Sequence, residues 1–86
     1  MPGDPDRVPK IAKFWDSARE VSSHREYRIW TGKVGDAVVS ACSTGIGCPA
    51  AAIAVEELAR IGADTFIRVG SCGSLVPSLD CGDLAI

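Results

Sequence analysis

The sequence has little excess charge and no long apolar run. These two absences argue against particular classes of binding partner, namely nucleic acids and membranes. Nine lysines and arginines stand against eleven aspartates and glutamates, which gives a net charge of −2 without a basic tract. Such a balance argues against nucleic acid or an anionic membrane as the main partner. No apolar stretch is long enough to cross a bilayer, and the charged opening MPGDPDRVPK has no apolar signal-peptide core. We expect no nucleic-acid or membrane partner and a cytoplasmic protein.

The patterns typical of metal sites and disulfide scaffolds are also missing. The four cysteines form no C-x-x-C pair, and the single histidine, His24, lies far upstream in sequence. Cys42 and Cys72 lie in or beside apolar runs, where cysteine acts as a small hydrophobic residue. We therefore expect buried or inert thiols in a reducing compartment.

The length of 86 residues allows one small domain with a marginal core, and a hydrophobic content of 47% indicates a globular chain. Turn residues begin at the second position with no strand before them. The last three residues begin a strand that has no room to continue. We expect a fragment of a larger domain.

Apolar periodicity and turn residues predict an α/β chain with a parallel strand pair and a right-handed crossover. Asp4 or Asp6 is expected to cap the first helix, and Gly62 to close the second in a left-handed conformation. The predicted elements are a helix over 7–16, a connector over 17–23, strands over 25–33 and 37–43 joined by a turn at 34–36, a helix over 49–61, a strand over 65–69 and the start of a strand at 84–86.

The stretch STGIGCPAAAIAVEELARIG, from Ser43 to Gly62, places a glycine elbow directly before a helix. Pro49 suits the first helical turn, and the free N–H groups there attract anions. The elbow therefore has two interpretations, an anion site or a plain tight turn. It lacks the Gly-Lys-Ser/Thr of a P-loop and the spacing of a dinucleotide fingerprint.

Three loops that follow strands or open helices carry the polar residues, and ligands gather at such loops in open α/β sheets. Arg68 interrupts the apolar run TFIRVG, so it needs either a bound anion or a structural partner such as Glu56 or Asp64. Arg7 and Ser71 have the same two interpretations, an anion contact or a local turn contact. The group His24-Arg25-Glu26 has the ordinary reading of a solvated charge cluster. Adjacent Glu56 and Glu57 point in different directions on a helix and form no acid/base pair.

Together these segments resemble the nucleoside phosphorylase family, and are closest to its uridine phosphorylase branch. The matching segments run in the family's order over nearly all 86 residues: PGDPDRVPKIA, SHREYRIWTG, STGIGCPAAAIAVEELARIGADTFIRVGSCGSL and CGDLAI. The resemblance implies a partial nucleoside phosphorylase-like α/β fold, with a mixed sheet flanked by helices and truncated at both ends. Residues 1–86 would be the N-terminal, phosphate-binding portion of one incomplete domain.

The resemblance also implies the roles of individual residues. Arg25 would reach the site of a neighbouring subunit, Ser71 would also lie near the ribose, and Glu26 and Ile46, with the position of Ala50, would form a monovalent-cation site. Family members usually have Pro-Ser where this chain has Pro49-Ala50. No catalytic residue is assigned within the chain, and the phosphate-binding set would be Gly3, Arg7, Arg25, Arg68 and Ser71.

The implied activity is reversible phosphorolysis of a nucleoside, with uridine preferred, to free base and ribose 1-phosphate. Inorganic phosphate is the co-substrate, no other cofactor is implied beyond the possible cation, and homodimers would assemble into a homohexamer. The alternatives are a purine nucleoside phosphorylase, a related nucleosidase, or a truncated interaction module without activity. We expect the fragment alone to be inactive, because the segments that bind the base and the ribose hydroxyls are missing. The enzymatic hypothesis requires Arg7 and Arg68 to converge on one oxyanion.

Overall fold

The computed structural model describes residues 1–86. Its centre is a three-stranded antiparallel sheet in the order β1-β2-β3, with one helix before the sheet and one after it. The sheet is thus antiparallel throughout, where a mixed sheet with a parallel pair was expected. The elements are α1 (Arg7–Ala12), β1 (Ser17–His24), β2 (Tyr27–Val34), β3 (Ala37–Cys42) and α2 (Cys48–Arg60).

The segment predicted as a connector over 17–23 is instead strand β1, which pairs with β2 from Ser17↔Lys33 to His24↔Tyr27. Its residues, SAREVSSH, are exposed throughout, so an apolar alternation could not reveal it. An edge strand gains its hydrogen bonds from its neighbour and does not need a buried face. The register shifts between Glu20 and Ser22, which marks a bulge.

The strands β2 and β3 confirm the predicted hairpin, with Gly35 in the left-handed region (φ 58) at its turn. Helix α1 is shorter than the predicted 7–16. Its end tightens through bonds from Phe14 N to Ile11 O and from Trp15 N to Ala12 O. Asp16 then donates its N–H to Lys33 O at 2.9 Å, so the chain joins the sheet four residues after the helix ends.

The two predicted helix caps have different outcomes: the side-chain cap at the start of α1 is not formed, and the glycine cap at the end of α2 is. At the start of α1, Asp6 makes no side-chain capping bond, whereas Asp4 Oδ1 accepts the Asp6 N–H at 2.9 Å in a turn before the helix. At the end of α2, Gly62 has φ 108, and its N–H bonds to Ala59 O at 3.0 Å. The N–H of Ala63 bonds to Leu58 O at 3.0 Å, which completes a Schellman motif and confirms the predicted glycine cap.

The strands predicted over 65–69 and 84–86 are absent, and both segments are exposed. Residues 67–69 instead lie beside Met1. The Met1 amino group donates to Ile67 O at 2.5 Å, and Val69 N donates to Met1 O at 3.1 Å. These two bonds have the alternation of a parallel bridge, but they involve a single residue of the neighbouring segment. These two strands were predicted from apolar content, which does not show whether a segment has a neighbouring strand to pair with.

The core is small, and α1 is the helix that packs on β2 and β3. The apolar members of the core are Val8 and Ala12 of α1, Ala41 and Cys42 of β3, and Ala54 of α2. Cys42 is buried as expected, whereas Cys48, Cys72 and Cys81 are exposed free thiols. The expectation that Cys72 acts as a small hydrophobic residue in an apolar run is therefore wrong. No group of three or more potential metal-ligating side chains occurs. None of the helices combines the length and apolar character that a bilayer crossing demands.

Candidate functional site

A polar cavity of about 570 Å³ opens where the first residues of the chain meet the elbow after β3 and the loop around Arg68. One of its lining side chains, Ile46, is hydrophobic, and it is almost fully exposed. The other lining residues are polar, charged, glycine or proline, so the cavity suits a charged or polar ligand. The lining residues are Gly3, Asp4, Pro5, Arg7, Glu26, Gly45, Ile46, Arg68 and Ser71.

Backbone hydrogen bonds bring three distant segments to this cavity. Thr44 N donates to Pro2 O at 3.0 Å, and Gly45 N donates to Gly3 O at 2.9 Å. Residues 67–69 bond to Met1 on the other side, as described above. The opening segment therefore lies between the elbow and the Arg68 loop, and it holds both against the cavity.

Arg68 extends its guanidinium into this cavity without an acidic partner. Its Nη1 donates to Met1 O at 3.0 Å and to Val69 O at 2.8 Å, and it forms no salt bridge. The alternative of a structural pairing with Glu56 or Asp64 is therefore wrong, and Arg68 is exposed on a segment that is not a strand. Gly70 makes room for it, since a Cβ there would lie 2.8 Å from Nη1. The Nη2 and Nε donors remain available to a ligand.

Arg7 reaches the same cavity from the first turn of α1. Its Nη2 donates to Ser71 Oγ at 3.3 Å, and its Nε lies 3.9 Å from Asp4 Oδ2. The local contact with Asp4 leaves Arg7 at the cavity, and the anion contact of Arg7 stays a prediction. Arg7, Arg68 and Ser71 come from positions up to 64 residues apart and line one cavity.

Glu26 contributes a carboxylate to the cavity wall. It packs against Gly45 so closely that a Cβ at Gly45 would lie 2.8 Å from both Cβ and Cγ of Glu26. Gly45 also has φ 67, so the elbow needs glycine there for two reasons. Glu26 and Ile46, the residues of the predicted cation site, lie together at this wall. The cation itself stays a prediction.

The position of Ala50 is engaged by a neighbouring tyrosine. The hydroxyl of Tyr27 donates to Ala50 O at 3.0 Å. Desolvation is the main cause that raises the pKa of Tyr27, and the nearby Glu26 and Glu57 carboxylates add to it. The hydroxyl therefore stays protonated and remains a donor at neutral pH. This bond ties the start of β2 to the first turn of α2.

Arg25 does not line the cavity of its own chain. It is exposed in the turn between β1 and β2, and it is the one non-glycine residue with a positive φ, at 54. Its predicted contact with a neighbouring subunit stays a prediction. The first-turn residues of α2 also lie outside the cavity lining, so this cavity does not include the helix N-terminus at which the sequence predicted an anion site. The elbow contributes Gly45 and Ile46 instead.

Two site features escaped the sequence reasoning. The first is the Met1 carbonyl, which accepts a hydrogen bond from Arg68 and orients it. A contact with a backbone carbonyl cannot be predicted from a pattern of side chains. The second is Ser43, which is completely buried and hydrogen-bonded on both sides of its hydroxyl. Its place between the buried end of β3 and a glycine elbow was a usable signal, because serine hydroxyls can hydrogen-bond to nearby backbone groups.

The α-amino group of Met1 lies close to the Arg68 guanidinium. Burial, followed by the positive charge of Arg68, lowers the pKa of this amino group below its ordinary value. The charged groups that line the cavity are the guanidinium groups of Arg7 and Arg68 and the carboxylates of Asp4 and Glu26. The two guanidinium groups are the ones suited to a bound anion.

Comparison of the sequence with known proteins shows the family of the chain. The model of the phosphorylase superfamily matches residues 1–86. The uridine phosphorylase of Thermococcus kodakarensis is 62% identical over the whole chain, which covers 31% of that relative. The guanosine phosphorylase of Halorubrum lacusprofundi is 48% identical over the whole chain, which covers 36% of it, and the uridine phosphorylase of Escherichia coli is 46% identical with 34% covered. The chain spans about a third of the length of these curated relatives. It belongs to the phosphorylase superfamily.

Proposed function

We propose that residues 1–86 are the phosphate-binding portion of a nucleoside phosphorylase that cleaves uridine reversibly to uracil and ribose 1-phosphate. One observation carries the proposal: Arg7 and Arg68 line the same cavity, and Arg68 has no acidic partner. Two guanidinium groups with a hydroxyl between polar loops are suited to a phosphate ion.

The proposed chemistry is the attack of a phosphate oxygen on the anomeric carbon while the bond to the base breaks. The sugar passes through an oxocarbenium-like state, and the electron pair of the broken bond leaves with the base. Arg7, Arg68 and Ser71 would hold the phosphate, and the backbone of Gly3 would approach it closely. Holding the anion in line with the breaking bond supplies most of the rate increase through positioning and electrostatics.

Two further roles belong to this proposal. Arg25 would complete the phosphate site of a neighbouring subunit in a homodimer that assembles into a homohexamer. Glu26 and Ile46 would lie at a monovalent-cation site. Mixed oligomers of R25A and R68A subunits test the first role, because one composite site per dimer would keep both arginines. Recovery of activity on mixing is expected, and its absence would assign Arg25 to its own subunit.

A purine nucleoside is the second candidate substrate. The guanosine phosphorylase relative at 48% identity supports it, as does the loop Ser71-Cys72-Gly73-Ser74. The cavity described above holds phosphate-directed groups, so it does not discriminate between bases. A nucleosidase would use water as the nucleophile and has less need of two arginines at one anion site. An interaction module without activity would need neither arginine in the cavity.

The test assays the product of the complete reading frame with uridine, guanosine and inosine, each with and without inorganic phosphate. We expect base release from uridine that requires phosphate and yields ribose 1-phosphate. Release of base without phosphate would identify a nucleosidase and overturn the proposal. Preference for guanosine would keep the reaction class and reassign the substrate. No release under any condition would favour the interaction module.

A further inference from the structure

Ser43 lies where β3 ends and the elbow begins, and it is completely buried. Its backbone N–H donates to Arg28 O at 3.0 Å, which continues the pairing of β2 and β3 by one step. Its hydroxyl then accepts the Arg28 N–H at 2.8 Å and donates to Glu26 O at 2.5 Å. One side chain therefore satisfies two backbone groups of the neighbouring strand.

At this position of the β2–β3 pairing, the Ser43 hydroxyl replaces a backbone carbonyl as the acceptor of the Arg28 N–H. In a regular antiparallel pair, Arg28 N–H would bond to the carbonyl of Ser43. That carbonyl instead accepts the Cys42 thiol at 3.3 Å, and the chain leaves the sheet toward the elbow. Without the hydroxyl, the Arg28 N–H and the Glu26 carbonyl would lose their partner in a part-buried setting.

The bond to Glu26 O falls on the turn that carries Arg25. Arg25 has φ 54, a conformation that a non-glycine residue adopts only where its surroundings impose it. The turn has two other restraints, the bond from Tyr27 to Ala50 O and the contact of Glu26 with Gly45. Among the side-chain hydrogen bonds, that of the Ser43 hydroxyl is the one that ends on the Arg25–Glu26 turn itself.

We infer that Ser43 is a positioning residue: its hydroxyl fixes the Arg25–Glu26 turn against the elbow. Glu26 thereby keeps its place at the cavity, and Arg25 keeps the place from which it would reach the phosphate site of a neighbouring subunit. The kinetic consequence of this inference rests on the proposed function. The geometric part does not, because it concerns the hydrogen bonds of the turn alone.

The kinetic test compares S43A with S40A in the product of the complete reading frame. Ser40 lies on the same strand, is exposed, and shares one hydroxyl bond of 2.8 Å with Thr31, so S40A is a matched loss of a serine hydroxyl. We expect S43A to raise the KM for phosphate about tenfold, with a smaller change in kcat, because the turn is displaced without loss of the arginine. S40A should leave both constants unchanged.

A double-variant cycle separates positioning from a general loss of stability. If Ser43 acts through the turn, S43A added to R25A should raise the KM for phosphate by less than about twofold further. Equal effects of S43A in the wild-type and R25A backgrounds would overturn the inference. A wild-type enzyme without phosphorolysis would instead refute the proposed function and leave the geometric part to the next measurement.

Amide hydrogen exchange tests the geometric part without any substitution. In the wild-type protein, the Arg28 amide should be protected as well as the ladder amides of β2. Exchange of the Arg28 amide at the rate of an open chain would overturn the inference. If S43A does not fold, S43C keeps the shape of the side chain, somewhat enlarged, with a weaker hydrogen-bonding group. S43C with a wild-type KM for phosphate and wild-type Arg28 protection would count equally against the role of the hydroxyl.

Discussion

Glu20 is the acidic residue with the most donors around it. Its Oε2 accepts bonds from Arg28 Nε and Nη2, each at 2.7 Å, and from Trp30 Nε1 at 2.8 Å. Arg28 also lies 3.8 Å from Asp6, next to α1. This group on the sheet face near α1 thus links β1, β2 and the loop that leads to Arg7. The bond from Arg28 first, and that from Trp30 second, lower the pKa of Glu20.

The lowered pKa of Glu20 predicts an acid-dependent stability. Because the folded protein holds this carboxyl deprotonated more strongly than the unfolded chain, its contribution is complete above the ordinary value of 4.5. The contribution is lost as the pH falls through the lower folded value. We expect E20Q to show a shallower fall in the free energy of unfolding over this acid range. Denaturant titrations at a series of pH values measure it.

Asp36 provides the matched carboxylate for this measurement, since it is exposed in the hairpin turn and forms no salt bridge. The variant D36N should keep the pH dependence of the wild type. Identical pH profiles for E20Q and the wild type would contradict the assignment to Glu20.

At the scale of elements, the end of α2 depends on one backbone conformation. Gly62 has φ 108 and no atom within 4 Å of a Cβ built on it, and Gly73 has equally open space without a positive φ. The pair therefore separates backbone strain from steric contact. We expect G62A to lower the free energy of unfolding by about 1 kcal/mol, because alanine is disfavoured at positive φ.

The variant G73A is the control for this prediction and should leave stability unchanged or slightly raised. Thermal or denaturant unfolding of both variants measures the difference. A loss in G73A as large as that in G62A would show that the effect does not come from the left-handed cap.

The elements that the sequence predicted well are those with a local signal. Helix α2 has helical periodicity, Pro49 near its start and Gly62 after its end, and the β2–β3 hairpin has β-formers on both sides of Gly35. Strand β1 has neither signal, since it is polar on both faces and exists through its pairing with β2. Residues 65–69 have the opposite property. They include the apolar residues Phe66, Ile67 and Val69, but the backbone partner of this segment is the single residue Met1.

At the scale of the whole molecule, the site depends on contacts between distant parts of the sequence. Residues 1–3 join the elbow at 44–45 to the segment at 67–69 through backbone bonds. Local sequence patterns identified Arg7, Arg68 and Ser71 as candidate anion-binding residues. That the three belong to one phosphate site was implied by the resemblance to the family. The bonds that aim Arg68 use carbonyl groups of Met1 and Val69, which no residue type encodes.

The most direct test of this shared phosphate site is a double-variant cycle of Arg7 and Arg68. Titration calorimetry measures the binding of inorganic phosphate to the wild-type product of the complete reading frame, to R7A, to R68A and to the double variant. R60A serves as the control, because Arg60 lies at the end of α2 outside the cavity lining. If both guanidinium groups contact one ion, each single variant should weaken binding about 10- to 100-fold. The double variant should then differ from the product of the two single effects. Wild-type affinity in either single variant, or two strictly independent effects, would contradict a common phosphate site.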